Sequence, residues 1–333
     1  GTNGKGSTVE VAGLIADHAG LSYGQYTSPH IHRIHERIRI NGQMVSDEQL
    51  IHAFETVEAA QSDVFLTYFE FLTLACFVLF DAARLDLWIL EIGLGGRLDA
   101  VNVINPDVSI ITSIGFDHQT YLGNSLEEIA AEKAGVMRER TPTFSAASNV
   151  RRTLLTEAQR YGASLFWVDQ VFDGNTLTLP SSGLVLDVSS ARLPRISVTL
   201  ACLAMDTLGY LTSRSIEDTL NQASVTGRMS PHVIGGRNYI LDVGHNASAC
   251  EFVTQSLEAV IPRWQRIVIF GALQDKDVSR MLPVLKRFTD RVVLVGIEGE
   301  RGRSIYSLEE SWSSLFEQTY WRSFATLPVA MRE

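Results

Sequence analysis

The sequence predicts a doubly wound α/β fold with a mostly parallel sheet, followed by a second, smaller α/β domain. The glycine-rich loop Gly1–Thr8 precedes an amphipathic helical pattern that stops at Gly20. Continuous apolar runs at Leu87–Ile92 and Val108–Ile114 are typical of parallel strands that are covered on both faces. Helical patterns alternate with these runs, which favours helices packed on both sides of a sheet.

The first half of the chain alternates short strands with capped helices. Ser46 with Gln49 and Ser125 with Glu128 have the spacing of capping boxes, so each pair predicts a helix start. The predicted helices are Ser7–Ala19, a segment from Ser46 to about Gln61, Thr67–Arg84 and a segment from Ser125 through Lys133. The other predicted elements are the strand Tyr23–Thr27 and the alternating strand Ile34–Ile40, which turns at Asn41–Gly42.

The second half of the chain changes its pattern twice. Alternating residues at Thr176–Leu179 and Leu184–Val188 predict a small antiparallel hairpin. Strand and helix alternation resumes beyond Gly227, so we predict two domains, 1–226 and 227–333. The remaining predicted elements are the helical segments Ile196–Leu211 and Ser215–Ala223 and the strands Tyr239–Val243, Arg266–Phe270 and Arg291–Val295.

Composition restricts the partners. The 333 residues carry a formal net charge of -10 and contain no run of Lys and Arg, so we expect no nucleic-acid or membrane partner and favour small molecules. The three cysteines, Cys76, Cys202 and Cys250, are widely spaced in apolar contexts, which favours reduced thiols in a cytoplasmic protein. The apolar run Phe69–Phe80 is too short to span a membrane, so we expect a buried helix there.

The glycine-rich loop predicts a nucleotide triphosphate site. Its glycines let backbone amides turn toward phosphate oxygens, and the helix that follows adds positive potential. Lys5 adds a point charge for the β- and γ-phosphates. The residues expected to bind the nucleotide are Thr2, Asn3, Gly4, Lys5, Gly6 and Ser7. The alternative is an ordinary glycine-rich turn before a helix.

Polar side chains follow three predicted strands at one edge of the sheet. Ser28, Glu91 and His118 each come shortly after such a strand, and ligands of open parallel sheets bind beyond the carboxyl ends of the strands. A hydroxyl, a carboxylate and an imidazole there could hold Mg²⁺. The alternatives are a structural histidine at 118 and an ion pair of Glu91 with Arg97. Chemistry alone predicts only a solvated lysine at Lys133.

The motifs together closely resemble the folylpolyglutamate synthase and dihydrofolate synthase family of the Mur-ligase superfamily. Gly6, between the lysine and the serine of the loop, is typical of this branch, whereas related cell-wall ligases have Ser or Thr there. The resemblance spans nearly the whole chain. It rests on Gly1–Thr8, Ser28–His30 with Glu36–Arg39, Thr67–Glu70, Glu91–Asp99, Asp117–His118, Glu132–Gly135, Gly227–Arg228 and Asp242–Asn246.

The resemblance implies a P-loop ATP-binding domain at 1–226 and a Rossmann-like glutamate-ligase domain at 227–333. It also implies two Mg²⁺ ions, a monovalent cation such as K⁺ and a carbamoylated Lys133. The implied catalytic residues are Lys5, His118, Lys133 and Arg228, and the implied metal ligands are Ser28, Glu91, His118 and Lys133. The implied nucleotide contacts beyond the loop are Arg228, Asp242 and His245. The implied pteroate-site residues are Thr67, Tyr68, Phe69, Glu70, Leu98, Asp99 and Ala100.

The implied reaction joins L-glutamate to dihydropteroate or folate with ATP, through an acyl phosphate, in a monomeric enzyme. Two alternatives remain: a peptidoglycan Mur ligase with the same chemistry on a nucleotide-peptide, and a P-loop switch that hydrolyses nucleotide only to change shape. A relative that has lost activity is a third possibility. The resemblance further implies that the strand before the loop, an N-terminal substrate-binding segment and a last C-terminal strand lie outside this sequence.

The chain departs from the family pattern at two positions. Ser197 stands where the family usually has a nucleotide-contacting Asn, so a nucleotide contact at this position is in doubt. Ala247 stands where the family has proline after His245–Asn246, and alanine suits a helix start equally well.

Overall fold

The computed structural model describes residues 1–258, 260–316 and 321–332. The chain divides into two compact units, Gly1–Thr226 and Gly227–Glu333. Each unit is a mixture of helices and strands with parallel pairing in its sheets, so the α/β class predicted from the sequence is confirmed.

Unit 1 begins with the helix that follows the glycine-rich loop. Its helices are α1 Lys5–His18, α2 Asp47–Gln61, α3 Tyr68–Ala83, α4 Gln119–Leu122, α5 Leu126–Ala134, α6 Arg151–Tyr161, α7 Arg195–Thr207 and α8 Glu217–Gln222. Its strands are β1 Tyr23–Tyr26, β2 Ile38–Ile40, β3 Gln43–Met44, β4 Leu87–Leu90, β5 Ser109–Ile111, β6 Pro142–Ser145, β7 Ser164–Trp167, β8 Thr176–Thr178 and β9 Val185–Asp187.

Three sheets form within unit 1. The first has the order β3-β2-β1-β4, in which β1 is parallel to β4 and antiparallel to β2. The second, β5-β6-β7, is parallel throughout, and β8 with β9 forms the small antiparallel hairpin that the sequence predicted. We expected a doubly wound, mostly parallel sheet. Within residues 1–226, all of which are described, no strand pairs with both β4 and β5, so the parallel strands divide between two sheets.

Helices α1 and α7 form the centre of unit 1. The two helices share one core cluster. Four of its side chains, each at most 1% exposed, are Val11 and Ile15 of α1 and Leu200 and Leu203 of α7. Burying an aliphatic side chain of this size contributes about 1.5–3 kcal/mol. The packing therefore fixes α7 against the helix that carries the glycine-rich loop at its N-terminus.

The predicted strand Ile34–Ile40 is only half correct. A short 3₁₀ helix occupies Ile34–Arg37, and strand pairing begins at Ile38. The Glu36 carboxylate accepts hydrogen bonds from the backbone amides of residues 31–33 at 2.7–2.8 Å, which stabilises the turn over an extended chain. The predicted turn at Asn41–Gly42 is confirmed, with positive φ values of 48° and 73°.

Unit 2 contains one parallel sheet and one separate hairpin. Its strands are β10 Ser230–Ile234, β11 Arg237–Leu241, β12 Val268–Phe270, β13 Val292–Val295 and β14 Trp321–Phe324. Its helices are α9 Ala247–Glu258, α10 Val278–Phe288, α11 Ile305–Leu315 and α12 Leu327–Arg332. The sheet has the order β12-β13-β14 with parallel pairing, and its core includes Leu282, Leu294, Leu308 and Trp312.

The sequence prediction missed strand β10. We expected Tyr239–Val243 to continue the strand and helix alternation, but β11 pairs antiparallel with β10. Gly235 and Gly236, both at positive φ, connect the two strands. A Gly-Gly pair between alternating residues is a hairpin signal, so the sequence did contain this information.

The cysteine prediction is confirmed, because Cys76, Cys202 and Cys250 are buried thiols without disulfides. Burial raises the pKa of the Cys250 thiol to about 12, which keeps it protonated and unreactive. Within the described ranges, no helix is long and apolar enough to cross a membrane. The run Phe69–Phe80 lies in α3, so the helix predicted there is confirmed.

Candidate active site

The glycine-rich loop is fixed against the chain that follows β5. The Thr2 amide donates to the Ser113 carbonyl at 2.5 Å, and the Thr2 hydroxyl bridges the carbonyl and the amide of Gly115 at 3.1 and 3.0 Å. The Asn3 amide donates to the Ser113 hydroxyl at 3.1 Å. Thr2 and Asn3 are therefore held by residues more than a hundred positions away, and Ser113 and Gly115 were not among the predicted site residues.

Gly4 makes the turn from the loop into α1. It caps the helix with φ of 88°, a left-handed conformation that glycine adopts without strain. Its carbonyl accepts from the Thr8 amide at 3.0 Å and from the Thr8 hydroxyl at 2.9 Å. The amides of the first turn of this 14-residue helix thus lie at its positive end, an arrangement that favours an anion.

Lys5, Gly6, Ser28 and Glu91 meet beside this turn. The Lys5 Nζ lies 3.8 Å from Glu91 Oε1, and the Ser28 amide donates to Glu91 Oε2 at 3.2 Å. A Cβ atom at Gly6 would lie 3.6 Å from the same Oε2, so the carboxylate adjoins the helix start. Glu91 is only 5% exposed, and a carboxylate buried to this extent needs a cationic or hydrogen-bonding environment.

The structure contradicts one of the two interpretations of Glu91, and metal binding by Glu91 stays a prediction. The ion pair with Arg97 that the sequence left open does not form, because Arg97 Nε donates to Glu132 Oε2 at 3.0 Å while Glu91 faces Lys5. The Glu91 carboxylate therefore lies at the glycine-rich loop, where a metal bound to phosphate would need it.

Lys133 reaches the same loop from α5. Its side chain is 6% exposed, and its Nζ donates to the Gly1 carbonyl at 3.3 Å. Lys5 Nζ donates to the same carbonyl at 3.4 Å. Burial and the charge of Lys5 lower the pKa of Lys133 to about 8, against the opposing effect of Asp117 and Asp99. The expectation of a solvated lysine, drawn from chemistry alone, is therefore wrong.

His118 lies in a strained turn just before α4. Its φ is 51°, in the left-handed region that non-glycine residues seldom adopt. Its amide donates to Asp117 Oδ1 at 3.0 Å, and its Nε2 lies 3.9 Å from Asp117 Oδ2. The side chain is 40% exposed, so the imidazole is accessible. Its grouping with Glu91 and Ser28 around one metal stays a prediction.

The loop after β4 is closed by Asp99. Its Oδ2 accepts from the Leu94 amide at 2.8 Å and its Oδ1 from the Val101 amide at 3.0 Å, while burial raises the pKa of the carboxyl. Leu98 beside it is 77% exposed, and Ala100 begins a short 3₁₀ helix. Of these predicted substrate residues, Leu98 presents apolar surface to solvent while Asp99 shapes the loop.

The N-terminus of α3 holds the other predicted substrate residues. Thr67 and Glu70 bind each other in a capping box, with the Glu70 carboxylate accepting from the Thr67 hydroxyl at 2.7 Å. Tyr68 is 59% exposed. Phe69 lies under the loop after β4, because a Cβ atom at Gly93 would come within 2.5 Å of its ring. That contact explains why this loop requires glycine at 93.

In unit 2, the predicted nucleotide residues form a local cluster. Asp242 Oδ2 accepts from the Met229 amide at 2.9 Å, and its Oδ1 accepts from the Gly244 amide at 2.7 Å. His245 Nδ1 lies 3.1 Å from the Val243 carbonyl. Arg228, next to Met229, is half-buried. Asp242 thus joins the chain after Gly227 to the end of β11.

Sequence reasoning also missed a contact network at the carboxyl edge of the sheet in unit 2. Arg303 Nη2 donates to the carbonyls of Gln274 and Lys276 at 2.8 and 2.9 Å, and Lys276 Nζ pairs with Asp275 at 3.2 Å. Arg303 therefore joins the loop after β12 to the loop after β13. Ligands of parallel sheets bind at such an edge, so the position of Arg303 after a predicted strand was the sequence signal that could have identified it.

Known proteins resemble the chain over nearly all of its length. The model of the Mur ligase, glutamate ligase domain family matches residues 227–326. A dihydrofolate synthase/folylpolyglutamate synthase of Escherichia coli is 35% identical over 321 residues, which cover 93% of this chain and 75% of the relative.

Two solved structures have the same fold over the entire chain. Escherichia coli FolC in complex with DHPP and ADP has a TM-score of 0.87 at 33% identity, and the match covers 100% of this chain and 80% of FolC. A bifunctional folylpolyglutamate synthase/dihydrofolate synthase with Mn, AMPPNP and L-glutamate bound has a TM-score of 0.85 at 35% identity, with coverage of 100% and 81%. On sequence and fold together, this chain belongs to the dihydrofolate synthase/folylpolyglutamate synthase family.

Proposed function

We propose that this chain is an ATP-dependent ligase that adds L-glutamate to dihydropteroate, to folate polyglutamates, or to both. The family assignment supports the reaction, and relatives bind ADP, DHPP, AMPPNP and L-glutamate. The observation that carries the proposal is the meeting of Lys5, Glu91 and Lys133 at the N-terminus of α1. We assign P-loop ATP binding to residues 1–226 and glutamate ligation to residues 227–333 in a monomeric, cytoplasmic enzyme.

The reaction requires activation of the acceptor, because a carboxylate is a poor electrophile. Its oxygen attacks the γ-phosphorus of ATP, the bond to the β-phosphate oxygen breaks, and ADP leaves. The glutamate amine then attacks the acyl carbon, loses a proton, and expels inorganic phosphate. Lys5 and the α1 amides offset the negative charge that develops on the transferring phosphoryl group. Arg228, Asp242 and His245 are the proposed nucleotide contacts of unit 2.

The residues around Glu91 fit a divalent cation. Glu91 supplies a buried carboxylate from the loop after β4, Ser28 a hydroxyl from the loop after β1, and His118 an accessible imidazole. In the described part of the chain, no group of three or more His, Cys, Asp and Glu side chains could hold a metal. When bound, Mg²⁺ would neutralise phosphate charge.

Lys133 fits the proposed carbamoylation. An amine attacks CO₂ only when it is deprotonated, and a pKa of about 8 leaves an appreciable neutral fraction near neutral pH. After the ammonium group has lost one proton, its nitrogen would form a bond to the CO₂ carbon while one C=O electron pair moves to oxygen, and a second proton would leave the nitrogen. The cation thereby becomes an anionic carbamate. That anion is the proposed ligand of a second Mg²⁺, and K⁺ is the proposed monovalent ion.

The pteroate site is proposed at the exposed apolar surface beside the loop after β4. Tyr68 and Leu98 offer that surface, and Phe69 supports the loop beneath it. The contacts that shape the backbone there are the capping bond of Thr67 with Glu70 and the bonds of Asp99 to the loop amides, and Ala100 begins the 3₁₀ helix.

The test is an assay of glutamate-dependent ADP formation with dihydropteroate, with tetrahydrofolate and with a nucleotide-peptide acceptor. We expect turnover only when ATP, glutamate and one of the two pteridine acceptors are all present. Turnover with the nucleotide-peptide would instead support a cell-wall ligase. ATP hydrolysis that is independent of any amino acid would contradict the ligase proposal.

A further inference from the structure

Ser197 contacts the glycine-rich loop from a distant part of the chain. It lies in the first turn of α7 and is 2% exposed. Its hydroxyl donates to the Gly4 carbonyl at 3.3 Å across 193 positions of sequence. Core packing of α7 against α1 holds the two groups together, so this contact depends on the interior of unit 1.

The space around Gly4 is filled on the side that faces Ser197. A Cβ atom at Gly4 would lie 2.8 Å from Ser197 Oγ, closer than such atoms approach one another. The carbonyl of Gly4 also accepts the amide and the hydroxyl of Thr8. Donors from both α1 and α7 therefore surround this one carbonyl and fix the direction in which it points.

The direction of the Gly4 carbonyl determines the direction of the next amide. In a trans peptide unit, the carbonyl of one residue and the N–H of the following residue point in opposite directions. The donors of Thr8 and Ser197 that hold the Gly4 carbonyl therefore turn the Lys5 amide to the opposite side. This amide is one of the helix N-terminal donors that lack a partner within the helix.

We propose that Ser197 is a positioning residue that holds the Gly4–Lys5 peptide in the orientation that binds nucleotide phosphate. The inference rests on the proposed ATP site, and it assigns to Ser197 a role that does not require contact with the nucleotide. Ser197 thus acts through the loop backbone.

Thr199 provides a matched control on the same helix. It is 0% exposed, and its hydroxyl has no hydrogen-bond partner among the described residues. Thr199→Val therefore removes a buried hydroxyl two positions from Ser197 without breaking a hydrogen bond. A difference between Ser197→Ala and Thr199→Val would report on the contact with Gly4 rather than on polarity within α7.

The experiment compares ADP dissociation constants and steady-state kinetics of the wild type, Ser197→Ala and Thr199→Val in the whole chain. We expect Ser197→Ala to raise the Kd for ADP and the KM for ATP by about three- to tenfold, the range for one lost hydrogen bond. Its kcat at saturating ATP should stay within about twofold of wild type, because the reacting groups are unchanged. Thr199→Val should change none of these values by more than about twofold.

A further variant guards against a simple loss of folding. Ser197→Cys keeps a donor at the same position of the side chain, although a larger and weaker one, so its KM for ATP should lie between those of the wild type and Ser197→Ala. Equal nucleotide affinities in Ser197→Ala and Thr199→Val would overturn the inference. A wild-type chain that binds no ADP would instead contradict the proposed function, so the two failures are distinguishable.

Discussion

The predicted site residues of the two units are held in different ways. In unit 1, Thr2, Glu91 and Lys133 are 5–8% exposed, and their hydrogen bonds reach 63 to 132 positions along the chain. In unit 2, Asp242 is half-buried, and its hydrogen bonds to the Met229 and Gly244 amides span 13 and 2 positions. The unit 1 cluster therefore depends on the whole fold of its unit, whereas Asp242 in unit 2 is held by a local turn.

The two clusters should therefore differ in how far substitutions reduce activity. A buried polar group that loses its partner costs free energy. We therefore expect the unit 1 cluster to be rigid and its activity to fall strongly on substitution. A cluster bonded over a few residues can readjust at lower cost. We therefore expect losses of activity in unit 1 to exceed those in unit 2, and the following experiments test that order.

Glu91→Gln should have the largest effect. It keeps the shape of the side chain but removes the charge that faces Lys5 and the proposed metal. We expect kcat to fall by about 10²-fold or more, the range for loss of one electrostatic contact in an active site. Steady-state kinetics across a Mg²⁺ titration would measure it.

Glu10→Gln is the control for that experiment, because it removes one carboxylate from a partly buried ion pair with Arg39 in the same unit. It should leave kcat within about twofold of wild type, since one such pair contributes little. If the two variants lose activity equally, the unit 1 cluster has no special role.

Asp242→Ala should have an intermediate effect. It removes the acceptor of the Met229 and Gly244 amides and loosens the chain beside Arg228. We expect the KM for ATP to rise by about tenfold, in line with loss of a charge-assisted hydrogen bond. Asp290→Ala, in an exposed ion pair of the same unit, should leave the KM unchanged. If Asp242→Ala lowers kcat/KM for ATP as much as Glu91→Gln does, the two clusters do not differ in their response to substitution.

The pH dependence of stability should be the smallest effect. The pKa of Lys133 is about 8 in the folded chain and about 10.5 when unfolded, so above pH 8 the unfolded state binds more protons. Unfolding free energy should therefore rise with pH, by about 1 kcal/mol between pH 8 and 9 for this group. Urea unfolding of metal-free protein would measure it. The rise in unfolding free energy between pH 8 and 9 should disappear in Lys133→Met. If the dependence of unfolding free energy on pH is the same in this variant, another group is responsible for it.

Local sequence signals predicted much of the fold correctly. The capping boxes at Ser46 and Ser125 begin α2 and α5 as expected, because cap hydrogen bonds form within four residues. The strands within the apolar runs that begin at Leu87 and Val108 are shorter than predicted, since pairing with neighbours decides where a strand ends. The half-wrong strand at 34–40 has a local cause, the Glu36 carboxylate, that periodicity does not detect.

The sequence by itself determined the α/β class, the capped helices, the buried thiols and, through its motifs, the family. Those features depend on spacing, composition and residue order, which can be seen without coordinates. Only the tertiary structure decided that Glu91 faces Lys5, that Lys133 is buried and that Ser197 touches Gly4. Each of these contacts joins residues far apart in the chain, and packing of helices and sheets, rather than local propensity, brings them together.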